Sequence, residues 1–228
     1  MLTRVRQAVT PLMMMPNDSD QVLDAPRRSL DELLDQYANG ANGRFDELYR
    51  RGSPRIRAFL ARLCSDVALA DDLTQETFLR IHRARESFVA GSAAMPWMFA
   101  IARNAFRDYR RREAVRLGLG AKIARGRDTP ARAPPETHGD HMLAARELAD
   151  LVGATLAELP LEHREAFILI RFEGLSVSEA AAVLGASESA VKTRAFRAYG
   201  ALRAALVGAG MDPKTGRSHD GLAGVTLA

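Results

Sequence analysis

Four arginines are clustered between residues 103 and 111 of the sequence. Arg103, Arg107, Arg110 and Arg111 follow one another at spacings of four, three and one, which places them nearly on one face of a helix. Guanidinium groups hold a phosphate backbone, and exposed aromatic or amide groups can accept unstacked bases. The pattern therefore favours a surface for nucleic acid. Aromatic and amide residues lie just before or among the arginines: Trp97, Phe99, Asn104, Phe106 and Tyr109.

The same aromatic residues also fit the core of a helical domain. In that interpretation Trp97, with Ile101 and Ala105, faces inward and the arginines are merely hydrated. Residue by residue, the core interpretation is favoured for the aromatic side chains. Both interpretations can hold at once, because the two faces of one helix can serve different purposes.

A second candidate site lies between residues 176 and 197, where the spacing is that of a helix-turn-helix. Ser176 and Glu179 form a capping box that begins a short helix. Gly185 suits the left-handed position that ends this helix, and Ser187 can cap the next helix through its hydroxyl. The second helix would then be the one that enters a DNA groove.

The exposed face of that second helix is polar and cationic. Residues 188–207 contain four basic and one acidic side chain, whereas residues 141–207 contain seven and eight. Such side chains suit base edges and phosphates in a major groove, although a plain helical hairpin with a hydrated basic face is the alternative. The agreement of cap, glycine and aliphatic spacing favours DNA binding. The residues of this face are Ser189, Lys192, Thr193, Arg194, Phe196 and Arg197.

A third group of residues is acidic and polar. Asp71, Asp72, Gln75 and Glu76 adjoin the apolar Leu79 at helical spacing. An acidic face near a basic helix indicates two separate partners, one a protein and one a nucleic acid. The alternative is a hydrated helix N-terminus, where carboxylates match the helix dipole.

Catalysis is the weakest of the possible functions. Asp71, Asp72 and Glu76 could ligate Mg²⁺ for phosphodiester chemistry with a histidine as base. The five histidines are scattered, however, and only His82 lies near these carboxylates, six residues beyond Glu76 and on another face. None completes a recognised metal spacing. We therefore expect a binding protein that is not an enzyme and has no metal or cofactor.

The composition is that of an ordinary globular protein. The 228 residues are 47% apolar and 26% charged with a formal net charge of +4, and this length allows one large domain or two small ones. The single cysteine, Cys64, excludes an internal disulfide and fits a reducing compartment. No stretch approaches the ~20 apolar residues needed to cross a bilayer. We expect a cytoplasmic protein without membrane insertion.

The elements that must position these residues are predicted to be helices. Apolar residues recur at three- and four-residue spacing and never form alternating runs, which predicts an all-α fold. Ser29 and Glu32 form a capping box, Pro54 is expected to kink the second helix, and Pro96 suits the first turn of the fourth. The predicted helices cover about 30–39, a second beginning near 44, then 68–85, 96–112, 141–158, 161–173, 178–184 and 188–207.

Two small helical domains joined by a flexible linker are expected. Residues 113–140 are rich in glycine and proline and have few large apolar side chains, so they cannot bury enough surface to offset their ordering entropy. The helix-turn-helix belongs to the second domain. The predicted organisation is a variable, disordered N-terminus (1–28), a first domain (29–112), the linker (113–140), a second domain (141–207) and a flexible tail (208–228).

Several sequence blocks resemble the extracytoplasmic-function sigma factors of the bacterial sigma-70 family. Residues 70–78 (ADDLTQETF) and 96–104 (PWMFAIARN) resemble the first domain of that family. Residues 159–167 (LPLEHREAF) and 174–197 are similar to its second domain. The resemblance spans roughly residues 30–206 in the correct order, with a linker of fitting length.

The resemblance implies a specificity subunit of RNA polymerase that acts by binding. In this family the acidic helix docks on the clamp coiled coil of the largest polymerase subunit. The linker would thread toward the RNA exit path, and an anti-sigma factor is implied as a further partner. The residues that the resemblance assigns to core-polymerase binding are Asp71, Asp72, Gln75, Glu76 and Leu79.

The resemblance also divides promoter recognition between the two domains. The loop from Phe88 to Met95 and the following helix would bind the melted minus-ten element, with Asn104 lining a pocket for a flipped base. The second helix of the helix-turn-helix would read the double-stranded minus-thirty-five element. The minus-ten residues would be Phe88, Trp97, Arg103, Asn104, Arg107, Arg110 and Arg111, and the minus-thirty-five residues Ser189, Lys192, Thr193, Arg194, Phe196 and Arg197.

An ordinary helix-turn-helix repressor or activator is the remaining alternative. That class of protein is expected to dimerise and to bind a palindromic operator. A sigma factor is expected instead to form a complex with core polymerase and to recognise an asymmetric promoter of two elements. The block from Trp97 to Asn104 favours the sigma factor.

Overall fold

The computed structural model of the chain describes residues 29–118 and 140–210, and every regular element in these ranges is helical. The predicted N-terminal segment, most of the predicted linker and the tail from residue 211 lie outside the described residues. The prediction of an all-α fold is confirmed. The α-helices within the described ranges are α1 (Leu30–Ala38), α2 (Phe45–Cys64), α3 (Val67–Ala84), α4 (Ala94–Arg116), α5 (Asp140–Glu158), α6 (Leu161–Arg171), α7 (Val177–Leu184) and α8 (Glu188–Gly208), and short 3-10 helices cover Asn42–Arg44 and Arg85–Ser87.

Capping boxes begin α1 and α7, as the sequence predicts. The Ser29 hydroxyl accepts a hydrogen bond from the backbone N–H of Glu32, and the Glu32 carboxylate accepts one from the backbone N–H of Ser29. Ser176 and Glu179 make the same reciprocal pair at the start of α7. Each box satisfies N–H groups that a helix start would otherwise leave without a partner.

The fourth helix continues to Arg116, one turn beyond the predicted end at Arg112. That predicted end was wrong because the added turn has its own stabilising contacts. Ala114 is buried, and an Arg116 nitrogen donates to the Glu113 carboxylate at 2.5 Å, an i,i+3 ion pair. The first described glycine of the predicted linker, Gly118, follows at once with φ +63°.

The core of the first domain lies where α2, α3 and α4 meet. The rings of Phe59 and Phe99 pack 5.0 Å apart between α2 and α4. Gly52 of α2 allows a close approach, because a Cβ atom at this position would lie 2.8 Å from Met98 Cε and 3.3 Å from a ring carbon of Phe78. A side chain at residue 52 would therefore push these helices apart.

The second domain has the helix-turn-helix geometry that the sequence predicts. Gly185 ends α7 at φ +59°, and the Ser187 hydroxyl accepts a hydrogen bond from the backbone N–H of Ala190 at the start of α8. Val191 is fully buried between the helices. These contacts hold α8 at a defined angle to α7 and leave one side of its N-terminal half exposed.

The two domains pack against one another, a contact that the sequence analysis does not predict. Helix α6 lies against α2, and α7 lies against α4. Ile168, Leu169 and Ala180 of the second domain belong to the same buried apolar cluster as Phe59 and Phe99 of the first. One buried cluster therefore continues across the domain boundary, and a second, formed by Leu156, Phe167, Ala198 and Leu202, lies within the second domain.

Gly185 and Gly200 provide a matched pair of substitutions that test the turn geometry. Gly185→Ala places a Cβ on a left-handed residue and is expected to lower the free energy of unfolding by about 1–2 kcal/mol. Gly200→Ala adds the same atom to the middle of α8, where nothing lies within 4 Å of it. This substitution is expected to raise the free energy of unfolding by up to about 1 kcal/mol. Urea denaturation measures both, and effects of the same sign would contradict the assigned geometry.

Candidate nucleic-acid interface

A mixed acidic and apolar surface lies on α3. We define the docking face as Asp72, Gln75, Glu76 and Leu79, which share one side of the helix by their i, i+3, i+4 and i+7 spacing. Asp72 and Gln75 are exposed, and the Leu79 side chain is 51% exposed despite being apolar. An exposed apolar side chain with polar groups around it has the arrangement of an apolar centre and polar rim found at protein interfaces.

Two acidic residues of this helix already have arginine partners. Asp71 accepts hydrogen bonds from Arg57, which hold the pKa of the Asp71 carboxyl below its ordinary value. Glu76 accepts from Arg80 at 2.7 Å, and Arg80 also donates to Asp108 of α4 at 2.8 Å. Asp71 therefore pairs with α2, while Glu76 contributes to the bridge that positions α3 against α4.

The aromatic residues in and near the minus-ten candidates are buried or, for Trp97, half-buried. Phe88 is 7% exposed, and its ring packs edge-on against Trp97 with centroids 5.2 Å apart. Phe99 and Phe106 are buried, as the core interpretation of these residues predicts. Asn104 is exposed on α4, so its amide is accessible from solvent.

The loop before α4 is held by two aspartates of α1. Asp35 accepts hydrogen bonds from the backbone N–H of Gly91 at 3.2 and 3.3 Å. Asp31 accepts from the backbone N–H of Ala94 at 2.7 Å and so caps α4. The sequence analysis missed these two residues, whose i,i+4 spacing on α1 was the only available signal.

The arginine row of α4, which we define as Arg103, Arg107, Arg110 and Arg111, is only partly accessible. Arg103 is 9% exposed, its Nε lies 3.1 Å from a carboxylate oxygen of Glu165, and one of its terminal nitrogens donates to the Val183 carbonyl at 3.3 Å. Arg107 donates to both Glu165 oxygens at 3.0 and 2.8 Å. The second domain therefore occupies these two guanidinium groups.

The other two members of the arginine row face solvent or neighbours on the same helix. The Arg111 side chain is 78% exposed and donates to Asp108 at 3.1 Å. The Arg110 guanidinium lies over the Phe106 ring, 5.9 Å from its centroid. The structure thus brings all four arginines to α4 as predicted, but in two different environments.

A second buried glutamate joins the domains at another point. The Glu173 side chain is 4% exposed, and its oxygens lie 3.1 Å from Arg62 and 3.6 Å from Arg55, both on α2. Arg55 also donates to the Glu173 backbone carbonyl at 2.7 Å. Burial raises the pKa of the Glu173 carboxyl, and the two arginines oppose that rise.

Arg164 connects the ends of two helices at the same boundary. Its fully buried guanidinium donates to the Leu63 carbonyl of α2 at 2.8 Å, and to the Ala157 and Leu159 carbonyls at the end of α5 at 2.7 and 3.2 Å. A cation at the C-terminal ends of helices is stabilised by the helix dipole and by carbonyls that lack intrahelical partners. Arg164 therefore stabilises the junction of both domains.

The exposed side of α8 is open to solvent. We define the reading face as Ser189, Lys192, Thr193, Phe196 and Arg197, all of which are exposed, with Phe196 at 67%. Arg194 is placed differently from the others, because it is half-buried and pairs with Glu162 of α6 at 3.0 Å. Five of the six predicted minus-thirty-five residues thus share an accessible surface.

His163 of α6 lies close to the positively charged side chains of α8. Burial lowers the pKa of its imidazole, and the positive charges of Arg197 and Arg194 lower it further, while Glu162 opposes them. The effect shows that positive potential from α8 extends to the neighbouring helix.

Neither a metal cluster nor a membrane span is found in residues 29–118 and 140–210. No three His, Cys, Asp or Glu side chains there are close enough to hold a metal ion. Within the same part of the chain no helix is both long and apolar enough to span a bilayer.

Family models match both halves of the chain. The sigma-70 region 2 model matches residues 48–116, and the sigma-70 region 4 model matches residues 149–202. Together these matches cover more than half of the chain. The chain belongs to the extracytoplasmic-function sigma factors of the sigma-70 family. It is a promoter-recognising sigma factor of transcription initiation, with α2–α4 in region 2 and α6–α8 in region 4.

Similar proteins include sigma factors from several bacteria. RNA polymerase sigma factor CarQ of Myxococcus xanthus is 37% identical over 76% of this chain and 95% of its own length. ECF RNA polymerase sigma factor SigC of Mycobacterium tuberculosis is 40% identical over 72% of this chain and 84% of its own length.

Two solved structures resemble the fold. The sigma factor RpoE of Bartonella quintana, in complex with the anti-sigma factor NepR, has a TM-score of 0.59 at 28% identity and covers 72% of this chain and 96% of its own. CnrH, in complex with the cytosolic domain of CnrY, has a TM-score of 0.56 at 29% identity and covers 79% of this chain and 99% of its own.

The lowered pKa of His163 predicts a pH-dependent contribution to stability. In the unfolded sigma factor this imidazole gains its proton near its ordinary pKa of 6.5, whereas in the folded state it does so only at lower pH. The unfolded state thus binds more protons in this window, and stability falls as the pH falls below about 6.5. Urea denaturation at pH 7.5, 6.5 and 5.5 is expected to show a smaller fall for His163→Gln than for the wild type. Equal falls would contradict the assignment.

Proposed function

We propose that this sigma factor binds core RNA polymerase, recognises a promoter through two DNA elements and assists the melting of the start site. The observation that carries the proposal is the open reading face of α8 in a helix-turn-helix unit, on a chain that also carries sigma-70 region 2. A single groove-reading helix contacts only a few base pairs, so a second DNA contact is needed to define a promoter. Region 2 supplies that contact in this proposal.

The minus-thirty-five element would be read by the reading face. Lys192 and Arg197 carry the positive charge that attracts phosphates, and either can donate to guanine edges in a major groove. Ser189 lies one turn before Thr193, whose hydroxyl donates to the Ser189 carbonyl at 2.9 Å. The exposed Phe196 ring can make an apolar contact with a thymine methyl group.

The minus-ten element would be held as a single strand by α4 and the loop before it. Asn104 is exposed and can hydrogen-bond a base that has left the stack. The arginine row lies on the same helix and can neutralise phosphates of the single strand. The hydrogen bonds from Gly91 and Ala94 to Asp35 and Asp31 set the position of the loop before any DNA arrives. Such preorganisation reduces the ordering cost of binding.

The docking face of α3 would contact the polymerase, and the sigma factor itself would make or break no covalent bond. Asp72, Gln75 and Leu79 offer a carboxylate, an amide and an apolar side chain to a partner helix. Melting would be favoured because captured bases and phosphates offset the lost stacking. The cytoplasm, where chromosome and polymerase meet, is the proposed site of action.

An anti-sigma factor is the proposed regulator of this chain. The two solved sigma factors that it resembles over 72% and 79% of its length are each in a complex with a second protein, which for the Bartonella quintana protein is an anti-sigma factor. The exposed Leu79 and Phe196 are large apolar side chains on the two functional faces, so a protein that covered them would block function.

Charge reversal on the docking face tests the polymerase contact. Asp72→Lys is expected to weaken binding to core polymerase at least about tenfold. The new lysine would face a positive charge of the polymerase in place of an attractive pair, and two like charges in contact at an interface cost more than about 1.4 kcal/mol. Asp150→Lys makes the same change at an exposed position on α5 of the other domain and is the control. Fluorescence anisotropy of labelled sigma factor with core polymerase measures both, and run-off transcription from a genomic promoter library tests the activity. Unchanged affinity of Asp72→Lys would refute the docking face.

Asn104→Ala separates base capture from general DNA affinity. The variant is expected to reduce the permanganate reactivity of unpaired thymines near the start site while closed complexes with polymerase still form. Arg111→Ala on the same helix would remove only a proposed phosphate contact. It is expected to weaken binding of the promoter strand and to reduce the magnitude of the slope of log affinity against log salt concentration by about 0.7. If Asn104→Ala impaired closed-complex formation and melting equally, the residue would have only a structural role.

A further inference from the structure

Helix α1 holds the loop that precedes α4 through two long-range hydrogen bonds. The backbone N–H of Gly91 donates to the Asp35 carboxylate at 3.2 and 3.3 Å, and the backbone N–H of Ala94 donates to Asp31 at 2.7 Å. The partners are 56 and 63 residues apart in the sequence. Hydrogen bonds to an ionised carboxylate are stronger than those between neutral groups. The loop is therefore fixed by tertiary contacts as well as by its own turn.

Helix α1 is itself firmly attached to the first domain. Leu33, Leu34 and Tyr37 are buried on its inner side. The Tyr37 hydroxyl is also hydrogen-bonded to Nδ1 of His82 on α3. The two aspartates are four residues apart and therefore share another side of α1. Their carboxylates thus project from an element whose position is set by the core.

The exposed part of the loop consists of small, uncharged side chains. Residues 89–93 (VAGSA) are all exposed, and the residues on either side of them are buried. Within this stretch the Ser92 N–H donates to the Val89 carbonyl at 3.1 Å, and Gly91 has φ +79°, which glycine adopts readily at the third position of a turn. Small exposed side chains cannot fix a loop by packing, so its conformation depends on backbone hydrogen bonds.

The loop begins on the same side of α4 as Asn104. Phe88, the first residue of the loop, packs edge-on against the Trp97 ring with centroids 5.2 Å apart. Trp97 and Asn104 are seven residues apart on α4, which is two helical turns, so they share one face. Trp97 is half-buried there and Asn104 is exposed. A base captured by Asn104 would therefore lie on the face of α4 that the loop adjoins.

We propose that Asp35 and Asp31 are positioning residues of minus-ten recognition, which fix the loop backbone so that the loop discriminates between bases next to Asn104. The inference rests on the proposed function of α4 and deepens it, because it gives α1 a role in specificity. The sigma-70 region 2 match begins at residue 48, after this helix. Neither aspartate contacts DNA in this proposal, since each acts through a backbone N–H group of the loop.

A fixed loop and a free loop differ chiefly in specificity. When a wrong base enters, a fixed loop leaves polar groups without partners, whereas a free loop can move and pair them again. The phosphate contacts proposed for α4 carry no sequence information and do not depend on the loop. Release of the loop is therefore expected to relax base preference while the strand is still bound.

Transcription with core polymerase from a barcoded promoter library, randomised in both elements, measures base preference. Asp35→Ala is expected to reduce the preference at the most selective minus-ten position about tenfold, which is the discrimination that one good base contact provides, and to leave the minus-thirty-five preference unchanged. Asp31→Ala is expected to act in the same direction. Asp35→Asn keeps an acceptor oxygen and is expected to retain the wild-type preference. Asp46→Ala removes a carboxylate from an exposed position at the start of α2 and is the control.

Amide hydrogen exchange, read by NMR on the full chain, reports the hold on the loop without polymerase or DNA. The Gly91 amide is expected to exchange at least about tenfold faster in Asp35→Ala than in the wild type, because its hydrogen bond to a charged group is lost. The Ala94 amide in Asp31→Ala provides a second, independent measurement, which decides the question if Asp35→Ala does not fold. Alanine is the strongest helix former, so both variants are expected to fold, and circular dichroism checks this.

Each outcome supports or overturns the proposal. Faster amide exchange together with a relaxed minus-ten preference supports it. Unchanged exchange overturns the hold on the loop, and faster exchange with wild-type base preference overturns the role in specificity. An equal loss of preference in Asp46→Ala or Asp35→Asn would show an effect of charge only and would also overturn it. Failure of the proposed function would appear differently, as a wild-type chain that supports no transcription with core polymerase, a result independent of the exchange rates.

Discussion

Glu165 is an acidic side chain that is 1% exposed and lies between two arginines of another domain. An uncompensated charge at such depth costs several kcal/mol, so the position of this carboxylate is tied to Arg103 and Arg107. Because Glu165 belongs to α6 and the arginines to α4, their pairing specifies how regions 4 and 2 meet. Glu173 imposes a similar requirement through α2. Apolar burial drives the contact, and the ion pairs select one arrangement of it.

The same chemistry explains why a surface proposed to bind DNA can also be a domain interface. Arginine recognises planar and tetrahedral oxyanions through similar hydrogen bonds, so a helix that is suited to phosphates is equally suited to a buried glutamate. On α8, Arg194 pairs with Glu162 of α6, whereas the five residues of the reading face remain exposed. The two proposed promoter-binding surfaces thus differ in how many of their charged side chains are already paired within the chain.

The local features of the fold could be predicted because they depend on short-range rules. The capping boxes at Ser29 and Ser176 and the left-handed Gly185 follow from interactions within a few residues, and the structure confirms each. The end of α4 was not predicted, because the contacts of Ala114 and the Glu113–Arg116 pair outweigh the signal of the following glycines. The roles of Asp31 and Asp35 were also missed, since each caps or holds backbone more than fifty residues away.

Residue types and spacing were sufficient to predict the helices, the helix-turn-helix and the grouping of charged side chains on α3, α4 and α8, because each of these is a periodic or nearest-neighbour property of the chain. The family was indicated separately, by the resemblance of several sequence blocks to known sigma factors. Only the tertiary structure decided which of those charges are accessible. Arg103 and Arg111 belong to the same row on α4, yet one is 9% exposed and the other, by its side chain, 78%. The difference comes from Glu165 and Val183, which lie 62 and 80 residues beyond Arg103 in the sequence and are brought to it by the packing of α6 and α7. No local pattern contains that information, because accessibility depends on contacts between residues far apart in the chain.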